Sequence, residues 1–554
     1  MRPGPFEGSR LLENRATSSA QHCSLSYNHV PMSVSPVAMP AWLKNTALSG
    51  NPGVLVGGAF VLLFLLHRVY KVVYNLYLAP LRNFPGPKLW AVSRLPYAFS
   101  VTRGQHHLDI LALHKRYGPV VRISPHELAF NSAQAFRDIY GFRPGHQSFK
   151  KDRTHYVYPP NGVDHLVSAV DDGVHARHRR LLANVFSERE LRAQEPLIQG
   201  YVDLLISKLR LQIQEGKGGS VDIKSWLNYT TFDITGDLMF GESFGCLRDS
   251  KLHPWISLIF ASMKALAFLG AVNQYPSLSA VLQKMIPASI IQKGVDHFNL
   301  SARKVDRRLE MGAERPDFMS AILKNGFREK QGQYAEDEKI MTRAEIHSNA
   351  FILIVAGSET SATLLSGAIY YLCKNPATMN KVLDEIRGAF TADKEIVFSK
   401  VTALSYLNAV IEESLRIYPP FVTSLARLSP VGGDTVDGHF IPENTTVACH
   451  HYASYHSPSN FVSPDDFIPE RWLDADSRFA EDKKDTLQAF SLGPRNCIGK
   501  NLAYAEIRLI LCKVLFNFDI TLCPESGNWK DQEVYFLWDK PPLMVSLTER
   551  AVSV

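Results

Sequence analysis

Three patterns of apolar and polar positions divide this chain. From Gly53 to Leu66 the run GVLVGGAFVLLFLL holds no charged side chain, and beyond His67-Arg68 the apolar character resumes at Val69, Val72, Val73, Tyr74 and Leu76. Crossing a bilayer takes about twenty apolar residues in a helix, so the uncharged run alone is short unless its flanks snorkel. The pattern predicts a membrane anchor over residues 51–78. A signal-peptide core would lie nearer the start and end at a small-residue cleavage site, and neither is seen. Residues 1–50 are polar, aperiodic and broken by Pro3, Pro5, Pro31, Pro36 and Pro40, which reads as a disordered leader. Met32 and Met39 lie closer to the anchor, and a start at either would make that leader an extension of the gene's reading frame.

Past the anchor, residues 79–554 read as one mainly helical region carrying small β-sheets. Phe84-Pro85-Gly86-Pro87 is a stiff turn suited to aiming a domain relative to a membrane. Val120 to Ile123 and Glu127 to Phe130 read as two short strands around Ser124-Pro125. Arg192 to Leu211 and Thr378 to Phe390 repeat apolar residues at helical spacing. The longest predicted helix opens on a capping box, Thr342-Arg-Ala-Glu345, and runs through Leu372 until Asn375-Pro376 stops it. Its middle, Phe351 to Gly357, is apolar on nearly every side and therefore buried. Ser358-Glu359-Thr360-Ser361 follow, and polar groups at such a place are costly unless satisfied or used.

Composition adds limits. Of the 554 residues, 45% are hydrophobic and 21% charged, with a net charge of +6, and no basic patch interleaved with aromatics suggests nucleic-acid binding. The seven cysteines are scattered and odd in number, without a C-x-x-C pair, which argues against a disulfide framework or a zinc site and for a reducing compartment. Lys44 precedes the anchor whereas Arg68, Lys71 and Arg82 follow it, so the positive-inside rule places the large C-terminal region in the cytosol.

The sharpest chemical signal is Phe490-Ser-Leu-Gly493-Pro-Arg495-Asn-Cys497-Ile-Gly499. A thiolate facing haem iron needs backbone N–H groups around it, and Gly493 and Gly499 permit that close approach. Arg495 offers a planar fork suited to a haem propionate. Leu502, Ala503, Ile507, Leu509 and Ile510 repeat as a helix starting at the ligand, its N-terminal dipole favouring the thiolate. Taken alone, Cys497 would read as one more buried cysteine.

With this run, three further motifs stand in order: Ala356-Gly357-Ser358-Glu359-Thr360, Glu413-Ser-Leu-Arg416, and Phe467-Ile-Pro-Glu470-Arg471-Trp472. Together they resemble the cytochrome P450 superfamily of haem-thiolate monooxygenases over roughly residues 80–550, most closely its fungal secondary-metabolism hydroxylases of the isotrichodermin and trichothecene type. The resemblance implies a mainly α fold with small β-sheets behind an N-terminal transmembrane helix, haem b held by Cys497, and O2 as co-substrate. Glu359 and Thr360 would relay protons, with Ala356 and Gly357 leaving room beside the iron. Phe490, Gly493, Arg495, Gly499, His175, Arg179 and Arg427 would bind the cofactor, His175 standing where the family's W-x-x-x-R has tryptophan. Glu413, Arg416 and Arg471 would form a buried structural ion cluster supporting the ligand loop.

The same resemblance places the substrate cavity along Gly145 to Val170, Trp255 to Val272, Phe421 to Leu425 and Tyr535 to Leu537, an apolar and aromatic wall suited to a hydrophobic small molecule. No flavin or nicotinamide fingerprint lies between a strand and a helix, so electrons are expected from an NADPH-dependent flavoprotein reductase, with cytochrome b5 as a second donor. Lys500, Arg508 and Lys513 are candidates for a basic docking face. The expected setting is the endoplasmic reticulum membrane, spanned once, with sequons at Asn228, Asn299 and Asn444 unmodified. Two rival readings are a haem-thiolate isomerase or dehydratase needing no external electrons, and a non-catalytic haem-binding membrane protein.

Overall fold

The computed structural model describes residues 52–550 apart from 157, 216–218, 276–280, 282–287, 313–314, 316, 326, 329–339 and 474–475. The expected disordered leader lies outside the described residues. Two compact units divide the chain, Met1–Arg68 and Val69–Val554. Helix α1 (Pro52–Val73) begins in the first. A π-helical turn, Tyr74–Leu78, follows it. Of the two described helices long and apolar enough to cross a bilayer, Arg343–Lys374 is mostly buried, whereas Leu55–Leu78, 24 residues, is largely exposed up to the buried Asn75. At 1.5 Å per residue that is about 36 Å against about 30 Å of hydrocarbon, so the span is not short. His67 and Arg68 interrupt the apolar run without ending the helix, and Arg68 lays its guanidinium over the Phe64 ring at 5.3 Å.

The second unit is mostly helical, as its periodicity predicts. Its principal elements, in chain order, are β1 (Val120–Ser124), β2 (Glu127–Phe130), β3 (Lys150–Lys151), α2 (Asp172–Ala183), α3 (Glu188–Gln214), β4 (Ser220–Asp222), α4 (Ile223–Phe240), α5 (Pro254–Asn273), α6 (Ala288–Met311), α7 (Arg343–Lys374), α8 (Pro376–Ala389), α9 (Ser405–Ile417), β5 (Arg427–Leu428), β6 (Thr446–Cys449), α10 (Lys500–Asn517), β7 (Phe518–Leu522) and β8 (Met544–Glu549). One sheet has the order β1-β2-β6-β5-β3 and another β7-β8-β4. Both are small.

Helix α7 is the axis of the core. Thr342 Oγ1 accepts from the Glu345 N–H at 3.2 Å while Glu345 Oε2 accepts from the Thr342 N–H at 2.9 Å, the reciprocal cap that the spacing predicts. The same carboxylate takes Arg177 and His178 from α2, so the cap also fastens a neighbouring helix. At the other end Asn375 stops α7 and Pro376 opens α8 at a position where its missing N–H costs nothing. Gly357 differs from expectation. A Cβ there would sit 3.0 Å from Thr235 Cγ2 on α4, so its smallness serves helix packing rather than space beside an iron. The turn at Phe84–Pro87 is held as a stiff turn would be: Pro85 O accepts the Arg122 N–H at 2.7 Å, and a Cβ on Gly86 would meet Arg122 O at 2.5 Å. It is strapped to β1.

Candidate functional site

The run around Cys497 folds as a tight loop ahead of α10. The Cys497 N–H donates to Phe490 O at 2.8 Å and the Asn496 N–H to Gly493 O at 3.1 Å. Gly493 holds φ at +68°, and a side chain there would approach Tyr140 O to 2.1 Å, so only glycine fits. Gly499 is the N-cap of α10, and the helix starts at Lys500, three residues past the cysteine. Phe490 packs its ring 5.1 Å from Tyr504. Cys497 is exposed by surface area although protein atoms surround it, so its sulfur faces an internal opening. Burial raises its thiol pKa, against which the Gly499 backbone, Arg179 and Lys500 pull it down.

Helix α7 also has an open face within the core. Ala356 is exposed and Ile352, Val355 and Thr360 are half-buried, while Leu353, Ile354, Ser358, Glu359 and Ser361 are buried. Positions 352, 355, 356 and 360 share one helical face, and a core helix exposes such a face only to a cavity. Ser361 lies beside Glu506 on α10, the helix that follows Cys497. Thr360 donates to Ala356 O at 2.6 Å, the local bond a hydroxyl makes in a helix interior. Glu359 is paired with Lys540, a residue the sequence reading did not single out, and Thr363 joins them by donating to Glu359 Oε1 at 3.2 Å. Burial lowers the Lys540 pKa and the Glu359 carboxylate opposes that shift. A cavity of about 210 Å3 reaches this pair, lined also by Tyr535, Leu537, Trp538 and Lys264. Lys224, Ser225, Asn228 and Asp539 also line it, so this cavity is more polar than the apolar substrate wall expected of Tyr535 to Leu537, and Phe421 faces Phe536 with ring centres 6.1 Å apart.

The expected cofactor cations divide into different tasks. Arg179 donates to Asn496 O at 2.6 Å and Asn496 Oδ1 at 2.5 Å, gripping the ligand loop. Arg495 donates to Asp172 Oδ1 at 2.7 Å, Ala169 O at 2.7 Å and Val170 O at 3.0 Å, tying the loop to the start of α2. Burial and then Arg495, Lys151, Arg179 and Arg427 lower the His175 pKa to about 3, which favours its neutral imidazole. Arg427 donates to Phe149 O at 3.3 Å, and its buried Nε has no hydrogen-bond partner. A buried guanidinium with an idle donor, amid further cations and beside an inward-facing thiol, fits a porphyrin that brings two carboxylates and a thiolate-seeking iron. The residues present therefore suit haem, whose iron Cys497 would hold.

Glu413, Arg416 and Arg471 come together as expected and are wholly buried. Arg416 donates Nε and Nη2 to the two Glu413 oxygens at 2.9 and 2.7 Å, and Trp472 Nε1 adds a bond to Glu413 Oε2 at 2.9 Å. Asp482, not foreseen, pairs with Arg471 and balances the charge. Lys513 is corrected as a docking residue: its side chain is 3% exposed and paired with Asp203 and Asp393. Lys500 is exposed and Arg508 half-buried against Tyr504.

Glu506 was also missed. Burial lifts its carboxyl pKa to about 8, with the Ser361 hydroxyl pulling the other way, and Oε1 has no partner. A raised folded pKa stabilises below about 4.5 and that contribution is lost as pH rises toward about 8. Glu506→Gln is therefore expected to gain stability over the parent between pH 6 and pH 8, by on the order of 1–4 kcal/mol at the upper end. Thermal melts of both holoproteins at the two pH values check it; a gap that does not widen with pH refutes it.

Comparison with known proteins agrees with this geometry. The cytochrome P450 family model matches residues 85–547. Trichothecene C-15 hydroxylase of Fusarium sporotrichioides is 43% identical over 509 residues, covering 91% of this chain and 98% of the relative. Averantin hydroxylase of Dothistroma septosporum is 44% identical over 492 residues, 88% of this chain and 90% of the relative. The cytochrome P450 monooxygenase efuB of Hormonema carpetanum is 44% identical over 486 residues, 87% and 94% of the two chains. With an inward-facing cysteine in a glycine-bent loop, a central helix opened at one face, and this match over most of its length, the chain belongs to the cytochrome P450 family.

Proposed function

We propose that this protein is a membrane-anchored haem-thiolate monooxygenase that hydroxylates a hydrophobic small molecule in fungal secondary metabolism. The observation that carries the proposal is Cys497 turned into an interior opening by a loop that Arg179 and Arg495 pin from outside. Haem b bound through that sulfur supplies the electron-accepting iron chemistry that activates O2. The open face of α7, Ile352, Val355 and Ala356, offers an apolar surface against which a substrate sheds water. The Thr360 hydroxyl, its proton on Ala356 O, keeps lone pairs that can accept a proton-bearing neighbour. Glu359, one residue away, holds an ionic link to Lys540 and borders the cavity, so a water there could exchange protons with the carboxylate.

Relatives named for trichothecene and averantin hydroxylation support the substrate class. Electrons come from an NADPH-dependent flavoprotein reductase, with cytochrome b5 as a second donor. The protein sits in the endoplasmic reticulum membrane with its catalytic unit in the cytosol, a reading supported by the apolar helix and by Arg68, Lys71 and Arg82 after the span. The test is reconstitution with reductase and metabolites that accumulate when the gene is removed. Oxygenated product that requires NADPH, reductase and O2 is expected. Product formed without any reductant would overturn monooxygenation and favour an isomerase.

A further inference from the structure

Arg122 on β1 is 2% exposed, and its fork bridges two segments: Nη1 donates to Asn75 O at 2.8 Å and Nη2 to Pro125 O at 2.9 Å. Both partners are neutral carbonyls, and the buried Nε has no hydrogen-bond partner. Burial lowers the Arg122 pKa and no neighbouring acid opposes that shift, so the desolvated charge lacks a counter-ion. Three more basic groups collect beside it. Lys71 stands one helical turn before Asn75, Arg94 precedes the helix Leu95–Thr102, and His126 follows Pro125. Burial and then Arg94, Arg122 and Lys71 lower the His126 pKa, so all three cations bear on one imidazole. Among the described residues no carboxylate pairs with Lys71, Arg94 or Arg122, and Glu127, which Arg94 also influences, lies 3.5 Å from His155.

The same stretches of chain present bare apolar side chains. Tyr77 and Leu78 after Asn75, Leu89 on the short helix Lys88–Val92, and Leu95 and Phe99 behind Arg94 are all exposed. Cations without acids, apolar side chains without cover, and the end of the span Leu55–Leu78 together match a ligand that is anionic at one end and hydrocarbon at the other. An acidic peptide would satisfy the charges and leave the apolar side chains in water. We infer that Arg122, Arg94, Lys71 and His126 form a site for the headgroup of an anionic phospholipid, which supplies the negative charge that this cluster lacks. The inference rests on the reading of Leu55–Leu78 as a membrane anchor.

The experiment places the full-length holoprotein in phosphatidylcholine nanodiscs that contain a trace of spin-labelled phosphatidylserine or spin-labelled phosphatidylcholine. Electron paramagnetic resonance then measures how much of each label the protein immobilises. Phosphatidylserine is expected to associate roughly tenfold more strongly than phosphatidylcholine, and Arg94→Gln or Lys71→Gln to cut that preference about fivefold, the effect of one cation near a lipid surface. Lys88→Gln removes an exposed cation from the neighbouring short helix and is expected to leave the preference unchanged. Arg122→Gln is expected to abolish it, and where that buried variant does not fold, Arg94→Gln decides. A parent without preference, an unchanged preference in Arg94→Gln, or an equal loss in Lys88→Gln overturns the site, the last by showing diffuse attraction. Millimolar inorganic phosphate is expected to leave the labelled phosphatidylserine in place, and its displacement would assign the site to a free phosphate and overturn the lipid. Protein that does not enter the discs at all would instead sink the anchor reading.

Discussion

Cys497→Ala is expected to purify as folded protein that has lost the red-shifted carbon monoxide band of a thiolate-ligated haem, with product formation abolished. The fold survives because the bonds that shape the loop do not use the sulfur. The Cys497 N–H on Phe490 O, the Arg179 grip on Asn496 and the Arg495 tie to Ala169, Val170 and Asp172 all remain in the variant. What disappears is the only sulfur that this loop turns inward. The other described cysteines are either fully buried, as Cys246, Cys449 and Cys512 are, or lie elsewhere in the fold, so none can substitute. Burial raises the Cys246 pKa to about 12 and lifts the Cys449 and Cys512 thiols above their ordinary value. Optical spectra of reduced protein under carbon monoxide, paired with circular dichroism, check both halves of the expectation. A parent-like band in the variant would remove Cys497 from the site, and an unfolded variant would show that the sulfur is structural instead.

How much of this was legible in the sequence depended on how local the determining contacts are. The α7 cap is written in four consecutive residues and was read correctly, as was the Glu413–Arg416 pair three residues apart on one helix. Lys540, by contrast, reaches Glu359 across 181 positions, and nothing beside it marks it as a partner. Asp482 is one of several acids in its stretch, with Asp476, Glu481 and Asp485, and only the fold decides which one meets Arg471. Lys151 needed the strand register, since alternation buries it and exposes Lys150. Lys513 was a failure of arithmetic rather than of information. It stands five residues after Arg508, about 140° around the helix, which already separates it from a face containing Arg508.

Gly357 illustrates a subtler limit. Smallness in a core helix has two uses, admitting a ligand or admitting another helix, and the sequence does not distinguish them. The structure assigns Gly357 to the second use against Thr235 and leaves the open face to Ala356. The same ambiguity governs Thr360, whose hydroxyl makes the bond to Ala356 O that any threonine would make in a helix, whatever further part it plays.

Arg416→Ala is expected to yield haem-free, largely unfolded protein. The Arg416 side chain is fully buried and donates to both Glu413 oxygens and to the carbonyls of Tyr455, Pro464 and Asp466, the last two at 2.6 and 2.8 Å. Truncation leaves three acceptors and a carboxylate without their donor in the dry interior. Glu413 keeps Arg471, Trp472 and the Ile468 N–H, but Arg471 must also serve Asp482, so one guanidinium would face two buried carboxylates. Stranding a charge in this way costs about 3–5 kcal/mol, a large part of the 5–15 kcal/mol that holds a typical protein folded. The damage is not confined to the cluster, because the segment Tyr455–Trp472 that Arg416 gathers leads through Asp482 toward the ligand loop. Arg416→Lys is expected to fail as well, since a single ammonium cannot reproduce a fork that binds Glu413 with two nitrogens while reaching three carbonyls. Haem content per chain and the thermal midpoint, measured for both variants beside the parent, decide the matter: parent-like haem content in Arg416→Ala would show that the cluster does not support the ligand loop.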